Sequence, residues 1–203
     1  MKIGIIGSGR MGGTLGRLWA ACGHEIMFSS RNPESPAIQE LLKTAGKNAQ
    51  AGSTQEAMQF SDVLLLALPP EAVDLFLEEA GDLNNKILIN ATNRLDGKSG
   101  GTEVIRLAKN ARVVRAFNLI PWEILSKPKY QETNASIFII GDDTEAKEVV
   151  SKLCRDINFD PVDAGKAEII VSLETAVGTL WKIFSPSFGR DFSLRILRRD
   201  KES

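Results

Sequence analysis

Nine residues near the start of the chain decide its fold: Gly4-Ile5-Ile6-Gly7-Ser8-Gly9-Arg10-Met11-Gly12. The last six of them follow the pattern G-x-G-x-x-G. This pattern comes directly after a short apolar run, Ile3–Ile6, and directly before the helical spacing of Met11–Cys22. A strand, a glycine turn and a helix in that order are the context in which the pattern binds the phosphates of a dinucleotide. The opening of the chain therefore predicts a βαβ dinucleotide-binding unit.

Each glycine of the turn has a predicted role. Gly7 permits the tight turn, Gly9 lets the backbone approach a pyrophosphate, and Gly12 lets the helix pack close to the strand. The helix N-terminus adds unpaired N–H groups and partial positive charge. Arg10 offers either a second cation or a surface that stacks on adenine. A glycine turn that binds nothing is the structural alternative.

The residues after the second predicted strand, Glu25–Phe28, indicate which dinucleotide binds. An NAD site places Asp or Glu about 20 residues after the glycines. This chain has Ser29-Ser30-Arg31-Asn32 there, and no acid before Glu34. Serine hydroxyls donate to phosphate, and a guanidinium offers a planar fork of donors. We therefore predict NADP(H) rather than NAD(H), with a surface arginine in a turn as the alternative.

Strands alternate with helices along the rest of the chain. This order predicts an α/β Rossmann fold, a doubly wound and mainly parallel sheet with a short helical C-terminal extension. We expect the NADP-binding domain at 1–165 and the extension at 166–203. A helix is expected to begin at the N-cap Thr54, and Leu95–Gly101 is expected to be a polar loop. Further strands are predicted at 63–68, 87–89, 113–117, 136–140 and 161–163, and further helices at 71–80, 102–109, 143–156 and 167–184.

The ends of the later strands should face the cofactor, because ligands bind at the carboxyl ends of parallel strands. Pro69 and Pro70 cannot continue a strand, so they bend the chain into a wall beside the ribose or the nicotinamide. Thr92 and Asn93 can hydrogen-bond a carboxamide. Ordinary loop polarity is the alternative for each segment. The candidates at these ends are Leu68, Pro69, Pro70, Ala91, Thr92, Asn93 and Asn118.

No catalytic residue can be assigned from the sequence. His24 stands in the turn before the second strand, away from the glycines, and is predicted to be structural. No metal-ligand cluster or Ser-His-Asp set is visible, and we predict no metal. Hydride transfer between a nicotinamide and another flat redox cofactor needs no dedicated acid or base. An imine or ketone acceptor would need a proton donor, for which the candidates are Thr92, Lys98, Tyr130 and Lys182.

Composition excludes several classes of function. The 203 residues carry a net charge of −1, which gives no electrostatic case for nucleic acid or an anionic membrane. No apolar run approaches the ~20 residues of a bilayer span. Cys22 and Cys154 are predicted to be buried core residues rather than a disulfide, as expected in the cytoplasm. The basic residues near the C-terminus are predicted to be a solvated end: Arg190, Arg195, Arg198, Arg199 and Lys201.

The motifs, taken in order, resemble the F420-dependent NADP reductase family, which includes the cytosolic domain of the STEAP metalloreductases. Besides the glycine turn and Ser29-Ser30-Arg31, the resemblance is carried by Leu66–Pro70, Val114–Asn118, Gly141-Asp142-Asp143, Asp163-Ala164-Gly165 and Leu173-Glu174. It implies hydride transfer between NADP(H) and F420 or a flavin such as FMN or FAD. Asn118-Leu119 stands where archaeal F420 reductases often have His-Thr, which leaves the second redox partner open.

The resemblance also implies roles for single residues. Ser8, Arg10 and Met11 would contact the pyrophosphate. Ser30 and Arg31 would hold the 2′-phosphate. The nicotinamide would be bordered by Pro69, Asn93 and Asn118.

Two other functions and one assembly are consistent with the sequence. A non-catalytic NADP(H)-binding redox sensor shares the same fingerprint. An imine or ketone reductase of the pyrroline-5-carboxylate reductase type would need a helical substrate domain of roughly a hundred further residues. The apolar spacing of 167–184 predicts a homodimer, since such a helix often completes a neighbour's pocket.

Overall fold

A computed structural model describes residues 1–94 and 96–199 of the chain. Leu95 of the predicted polar loop and Lys201 of the basic C-terminal segment lie outside the described residues, as does the end of the predicted extension. Within the described part, no helix is both long enough and apolar enough to cross a membrane.

Eight strands of the described residues form one sheet, in the order β3-β2-β1-β4-β5-β6-β9-β10. Strands β1 to β6 are parallel, as predicted. β9 pairs antiparallel to β6 through Arg115 and Ile140, and β10 runs parallel to β9. A small antiparallel hairpin, β7–β8, stands apart. The strands are β1 (Lys2–Ile6), β2 (Glu25–Ser29), β3 (Ala49–Gly52), β4 (Val63–Leu66), β5 (Ile87–Asn90), β6 (Arg112–Arg115), β7 (Lys129–Tyr130), β8 (Thr133–Asn134), β9 (Ser136–Ile140) and β10 (Asp160–Gly165).

Helices cover both faces of the sheet, so the predicted doubly wound Rossmann fold is confirmed. A 3-10 turn, Ala167–Ile169, leads into the last helix. The division predicted at residue 165 stays a prediction, and β10 ends at that residue. The helices are α1 (Arg10–Ala21), α2 (Pro36–Ala45), α3 (Thr54–Phe60), α4 (Pro70–Ala80), α5 (Gly100–Leu107), α6 (Trp122–Leu125), α7 (Thr144–Asp156) and α8 (Ile170–Phe188).

The two helical layers pack on opposite sides of strands that are apolar on both faces. All four residues of β4 are buried, as a central parallel strand requires. On one side, Trp19 of α1 packs with Leu153 of α7, and its indole donates to the Leu153 carbonyl at 3.0 Å. On the other side, Phe76 of α4 packs with Val104 of α5. The two cores therefore hold the central strands, whose carboxyl ends carry the candidate site residues.

Local structure differs from the sequence prediction at several residues. The N-cap of α3 is Ser53 rather than Thr54, because Ser53 and Glu56 form a reciprocal capping box. Cys154 is buried, but Cys22 is exposed at the C-cap of α1, so its prediction as a core residue was wrong. The two-residue strands β7 and β8 are too short to leave a periodic signal.

Candidate functional site

The glycine turn between β1 and α1 has the geometry that the pattern predicts. Gly7 adopts φ of +105°, a conformation that L side chains rarely adopt. A Cβ at Gly12 would collide with the Gly7 carbonyl oxygen, so α1 can approach the strand only with glycine there. A Cβ at Gly9 would meet nothing within 4 Å. The backbone at Gly9 is thus open to a ligand, while Gly7 and Gly12 shape the turn.

The N-terminus of α1 offers free donors to an anion. Gly9 is its N-cap, no side chain caps it, and its first turn carries no acid. The partial positive charge of the helix end therefore remains unneutralised. Ser8 is half-buried in the turn, and Met11 is half-buried against the core. The turn, Gly9 and α1 together fit a pyrophosphate.

The end of β2 lies beside this turn. Ser29 is buried, and its hydroxyl accepts from Gly7 N at 3.1 Å, which ties β2 to the glycine turn. The Ser30 hydroxyl accepts from Asn32 N at 3.1 Å. Arg31 is exposed. Ser29 therefore shapes the turn. Ser30, which is half-buried, and Arg31, which is exposed, are the candidates for contact with a 2′-phosphate.

Arg10 has a partner that the sequence did not indicate. Its guanidinium carbon lies 5.5 Å from the ring centroid of Trp122, which is close enough for a cation–π contact. Trp122 begins α6, so the contact joins the start of α1 to the segment after β6. Arg10 itself is exposed to solvent.

The proline pair after β4 opens a helix and bends the chain. Pro69 is the N-cap of α4 in an extended conformation, and Pro70 is its first residue. Pro is favoured at that position because its missing N–H would have no partner there. Leu68 is half-buried and Pro69 is exposed. The pair therefore turns the chain from the carboxyl end of β4 into α4.

The end of β5 departs from the prediction at Thr92. Its hydroxyl is buried and donates to Asn90 Oδ1 at 2.8 Å, so it holds the strand end rather than facing a ligand. Ala91 is also buried, and its N–H donates to Leu66 O. Asn93 is exposed, and its Nδ2 donates to the backbone carbonyl of Asn118 at 2.8 Å. Asn93 thus bridges the ends of β5 and β6.

Arg115 at the end of β6 is a functional candidate that sequence reasoning missed. Only 1% of the residue is exposed, and it lies 2.6 Å from Glu174 Oε1 on α8. Burial lowers the pKa of this guanidinium, and the charge of Glu174 opposes that effect. Its other donors reach the Thr92 carbonyl and Asn93 Oδ1. The available signal was a charged residue inside the apolar run Val113–Phe117.

Phe117 and Asn118 form the most constrained turn at this edge. Phe117 has φ of +63°, which is rare for a bulky residue and costs about 1–3 kcal/mol. Its buried ring packs edge-on against Trp19 at 5.8 Å between centroids. Among the described residues, Asn118 Nδ2 is a buried side-chain donor without a hydrogen-bond partner. The strained turn therefore contains a donor without a protein partner, which makes Asn118 a candidate for ligand binding.

A cavity of about 550 Å³ adjoins these strand ends. Asn93 and Asn118 line it at the sheet, and Glu174 and Trp181 line it from α8. The Trp181 indole donates to Leu119 O at 3.2 Å, which fixes the ring at the wall. Arg94 lines the cavity too, but it is paired with Asp74 at 2.6 Å and Asp96 at 2.8 Å. The remaining lining residues are Lys98, Gly100, Arg115, Leu119, Ile120, Pro121, Gly178, Ser185 and Arg190.

The predicted proton donors are not gathered at one point. Lys98 lines the cavity, Lys182 is exposed on α8, and the Tyr130 phenol lies 3.5 Å from Asp191. Burial, followed by the charge of Asp191, raises the pKa of Tyr130 to about 12. Within the described ranges, no group of three or more His, Cys, Asp or Glu side chains forms a possible metal site.

His24 lies at the opposite edge of the sheet, as predicted. It is 4% exposed, and its Nε2 is 2.9 Å from Asp156 Oδ2 at the end of α7. Its Nδ1 is 3.2 Å from the chain's amino terminus. These contacts join β2 to α7 and give His24 a structural environment.

The fold and the glycine turn define a class of protein, the Rossmann-fold domains with a dinucleotide-binding fingerprint. Residues 2–94 match the family model described as NADP oxidoreductase, coenzyme F420-dependent. That match contains the glycine turn and the ends of β2, β4 and β5. This part of the chain is similar to that family of NADP-dependent oxidoreductases, which agrees with the resemblance seen in the sequence.

Relatives and solved structures agree with this family. The chain is 29% identical over 195 residues to metalloreductase STEAP3 of Rattus norvegicus, covering 90% of this chain and 38% of the relative. It is 36% identical over 178 residues to pyrroline-5-carboxylate reductase 2 of Macaca fascicularis, covering 81% and 53%. The chain therefore spans about two fifths and about half of the lengths of these relatives.

One solved structure covers nearly the whole chain. The crystal structure of a candidate F420-dependent NADP reductase from Arthrobacter sp. FB24 matches with a TM-score of 0.84 at 22% identity. The match covers 98% of this chain and 100% of that chain. At this identity the likeness shows the fold, including the part of the chain beyond residue 94.

Proposed function

We propose that this protein binds NADP(H) and transfers hydride between it and a flat acceptor, either the deazaflavin F420 or a flavin such as FMN or FAD. The observation that carries the proposal is the cavity beside Asn118. It adjoins the strand ends where a nicotinamide would lie, and a buried, unused amide donor stands at its wall.

The dinucleotide would bind along the carboxyl edge of β1, β2 and β4. Gly9 and the N-terminus of α1 would hold the pyrophosphate, with Ser8, Arg10 and Met11 around it. Ser30 and Arg31 would hold the 2′-phosphate, because an arginine attracts that group and no acid repels it there. The fit rests on the open backbone at Gly9 and the uncapped end of α1.

The nicotinamide end would lie between Pro69, Asn93 and Asn118. The bound cofactor supplies the hydride, and the chain's task is to orient the two rings and exclude water. Asn118 Nδ2 would donate to a carbonyl oxygen there, which would give this donor its missing partner.

The walls of the cavity favour a planar acceptor. Leu119, Ile120 and Pro121 give the cavity an apolar lining, and the neighbouring Trp181 adds an aromatic ring. Pockets of this kind bind flat rings through apolar contact, while a few polar groups fix the orientation. The name of one relative, a metalloreductase, agrees with electron transfer to a redox acceptor.

We also propose that the protein forms a homodimer through α8 in the cytoplasm. Several large apolar residues on this helix remain exposed, among them Val171 at 51%, Ile183 at 59% and Phe188 at 60%. Phe184 and Phe188 lie 6.2 Å apart between ring centroids. Large apolar side chains left exposed on one helix favour an interface with another chain. Light scattering on the wild type should give twice the chain mass, and Ile183→Glu with Phe188→Glu should give the chain mass. A monomeric wild type at micromolar concentration would remove this proposal.

The function is tested by mixing the purified protein with NADPH and one acceptor at a time: F420, FMN, FAD or riboflavin. The loss of reduced-nicotinamide absorbance is the readout, and NADH is the control. We expect turnover that prefers NADPH. Reduction of F420 alone would identify a deazaflavin reductase, and reduction of flavins alone would identify a flavin reductase.

Two results would favour the other functions. Tight NADPH binding without turnover on any of these acceptors would favour a redox sensor. Turnover on a cyclic imine such as pyrroline-5-carboxylate, with none on flavins, would favour the imine reductase reading. The 36% identity to pyrroline-5-carboxylate reductase 2 makes that second substrate worth including.

A further inference from the structure

A side-chain network reaches the proposed nicotinamide subsite from α8. Glu174 Oε1 on α8 accepts from Arg115 Nε at 2.9 Å and from Arg115 Nη2 at 2.6 Å. Ser99, the N-cap of α5, donates its hydroxyl hydrogen to Glu174 Oε2 at 2.8 Å. Both carboxylate oxygens are thus used, and α8 is joined to α5 and to the end of β6.

Arg115 passes this constraint to the neighbouring strand ends. Its Nη1 donates to the Thr92 carbonyl, and its Nη2 donates to Asn93 Oδ1 at 3.1 Å. Asn93 Nδ2 in turn donates to the Asn118 carbonyl at 2.8 Å. One guanidinium therefore fixes the end of β5 directly and the turn after β6 through Asn93.

Two glycines at the start of α5 allow the guanidinium of Arg115 to lie close to the backbone. A Cβ at Gly100 would lie 3.3 Å from Arg115 Nη2, and a Cβ at Gly101 would lie 3.3 Å from Nε. The side chain of Arg115 is 2% exposed and that of Glu174 is 19% exposed. Apolar residues of similar volume often replace a buried ion pair without loss of stability, so stability alone does not explain this pair.

We propose that Glu174 and Arg115 are positioning residues for hydride transfer. Through them, α8 sets where Asn93 and Asn118 hold the nicotinamide against the acceptor cavity. The inference rests on the proposed function. It adds that the positions of Asn93 and Asn118 at the nicotinamide end depend on α8, which is distant in sequence. Both residues also line the cavity. Their proposed effect on hydride transfer passes through Asn93 and the strand ends.

The first test compares two ligands in the variant Glu174→Gln. NADPH reaches the nicotinamide subsite, whereas 2′,5′-ADP carries only the adenosine and the 2′-phosphate. We expect the Kd for NADPH to rise about tenfold and the Kd for 2′,5′-ADP to change less than about twofold. Titration of the apoprotein by calorimetry gives both values without turnover. A structural defect of the whole domain would weaken both ligands equally and would overturn the inference.

The double variant Arg115→Met with Glu174→Met guards against loss of folding. It leaves no unpaired buried charge, so it should melt close to the wild type. We still expect it to lose affinity for NADPH but not for 2′,5′-ADP, because Arg115 no longer donates to the Thr92 carbonyl and Asn93 Oδ1. Recovery of wild-type NADPH affinity in this variant would show that the pair only stabilises, and would overturn the proposal. The matched control is Glu103→Gln, which removes one carboxylate charge from the pair with Arg106 at 2.8 Å, where the Glu103 side chain is 20% exposed.

Turnover measurements distinguish failure of the proposed function from failure of the inference about Arg115 and Glu174. In Glu174→Gln the single-turnover rate with saturating NADPH should fall about tenfold, while Glu103→Gln should match the wild type. A wild type that binds NADPH but reduces no acceptor would overturn the proposed function and this inference with it. A wild type that turns over, with Glu174→Gln equal to it in rate and in ligand preference, would overturn the inference alone.

Discussion

The two ends of the proposed dinucleotide groove are built by different means. At the pyrophosphate end the shape comes from backbone: Gly7 turns the chain at positive φ, and Gly12 lets α1 approach it. At the nicotinamide end the shape comes from side chains, because Arg115 holds the strand ends and Glu174 holds Arg115. The first end is local within ~30 residues, whereas Arg115 and Glu174 are 59 positions apart.

This difference teaches where each end can adapt. At Gly7 and Gly12 the turn has almost no tolerance, since a single added carbon would collide with main chain. Side chains of a hydrogen-bonded network can be replaced without loss of the fold, but the groups that they held then lose their positions. The pyrophosphate end is therefore the fixed part of the site, and the nicotinamide end is the part that packing of α8 can tune.

The largest expected effect comes from Gly12→Ala at the fixed end. The new Cβ would collide with the Gly7 carbonyl oxygen and lie 3.0 Å from Ile5 Cγ2, so α1 must move away from β1. We expect a loss of about 3 kcal/mol of stability, a Tm lower by roughly 6–12 °C, and NADPH affinity lower by more than ~100-fold. Calorimetry and NADPH titration measure these effects.

Gly9→Ala is the matched control for that substitution. Its Cβ would meet no protein atom within 4 Å, so the Tm should stay within about 2 °C of the wild type. NADPH affinity should still fall, because the added methyl occupies space proposed for the pyrophosphate. Equal Tm values for Gly12→Ala and the wild type would contradict the backbone account of this end.

The next effect concerns the choice of dinucleotide at the end of β2. Arg31→Glu should weaken NADPH about 100-fold and NADH less than about threefold, because hydrogen bonds to a charged group contribute about 1.5–3 kcal/mol and the new charge repels phosphate. Competitive titration of the two dinucleotides gives the ratio. Arg155→Glu, on exposed surface at the end of α7, is the charge-matched control. Equal weakening of NADPH and NADH would remove Arg31 from the 2′-phosphate site.

The same difference explains what the sequence could predict. The glycines at fixed spacing and the absence of an acid at Ser29-Ser30-Arg31 lie within one short stretch of sequence. The fold, and a hypothesis for the phosphate-binding half of the site, could therefore be predicted from that stretch. The role of Arg115 depends on Glu174 and Ser99, which only the packing of α8 against α5 brings together. Thr92 was assigned to the ligand for its polarity, but its hydroxyl satisfies Asn90 inside the protein.

The edge partners of the sheet were also beyond the sequence pattern. The alternating order predicts parallel strands, yet β9 pairs antiparallel to β6, and the β7–β8 hairpin lies between them in the chain. The strands of that hairpin have two residues each, too few for a detectable periodicity. Gly141-Asp142-Asp143 consequently follows β9 at the edge away from the groove, where Asp143 caps α7.

At the adaptable end, Asn118→Leu should move stability and binding in opposite directions. It removes a buried donor that has no partner among the described residues, so the apoprotein should gain about 1 kcal/mol and roughly 2–4 °C in Tm. NADPH affinity should fall about tenfold, because the proposed hydrogen bond to the ligand is lost. Affinity for 2′,5′-ADP should not change. A lower Tm together with unchanged NADPH affinity would mean that Asn118 serves the fold rather than the ligand.

The smallest effect tests whether the opposite edge of the sheet stays outside the site. Burial, only partly opposed by the hydrogen bond to Asp156, lowers the pKa of His24 below its ordinary value of 6.5. The unfolded chain therefore binds more protons than the folded chain as the pH falls through 6.5, and stability falls with it. Between about pH 7.5 and about pH 5.5 the wild type should lose about 2 °C more in Tm than His24→Gln. NADPH affinity of His24→Gln at neutral pH should equal that of the wild type. If this variant instead lost NADPH-dependent turnover with an unchanged Tm, His24 would be linked to the groove, and the chemistry would not be confined to the carboxyl edge of the sheet.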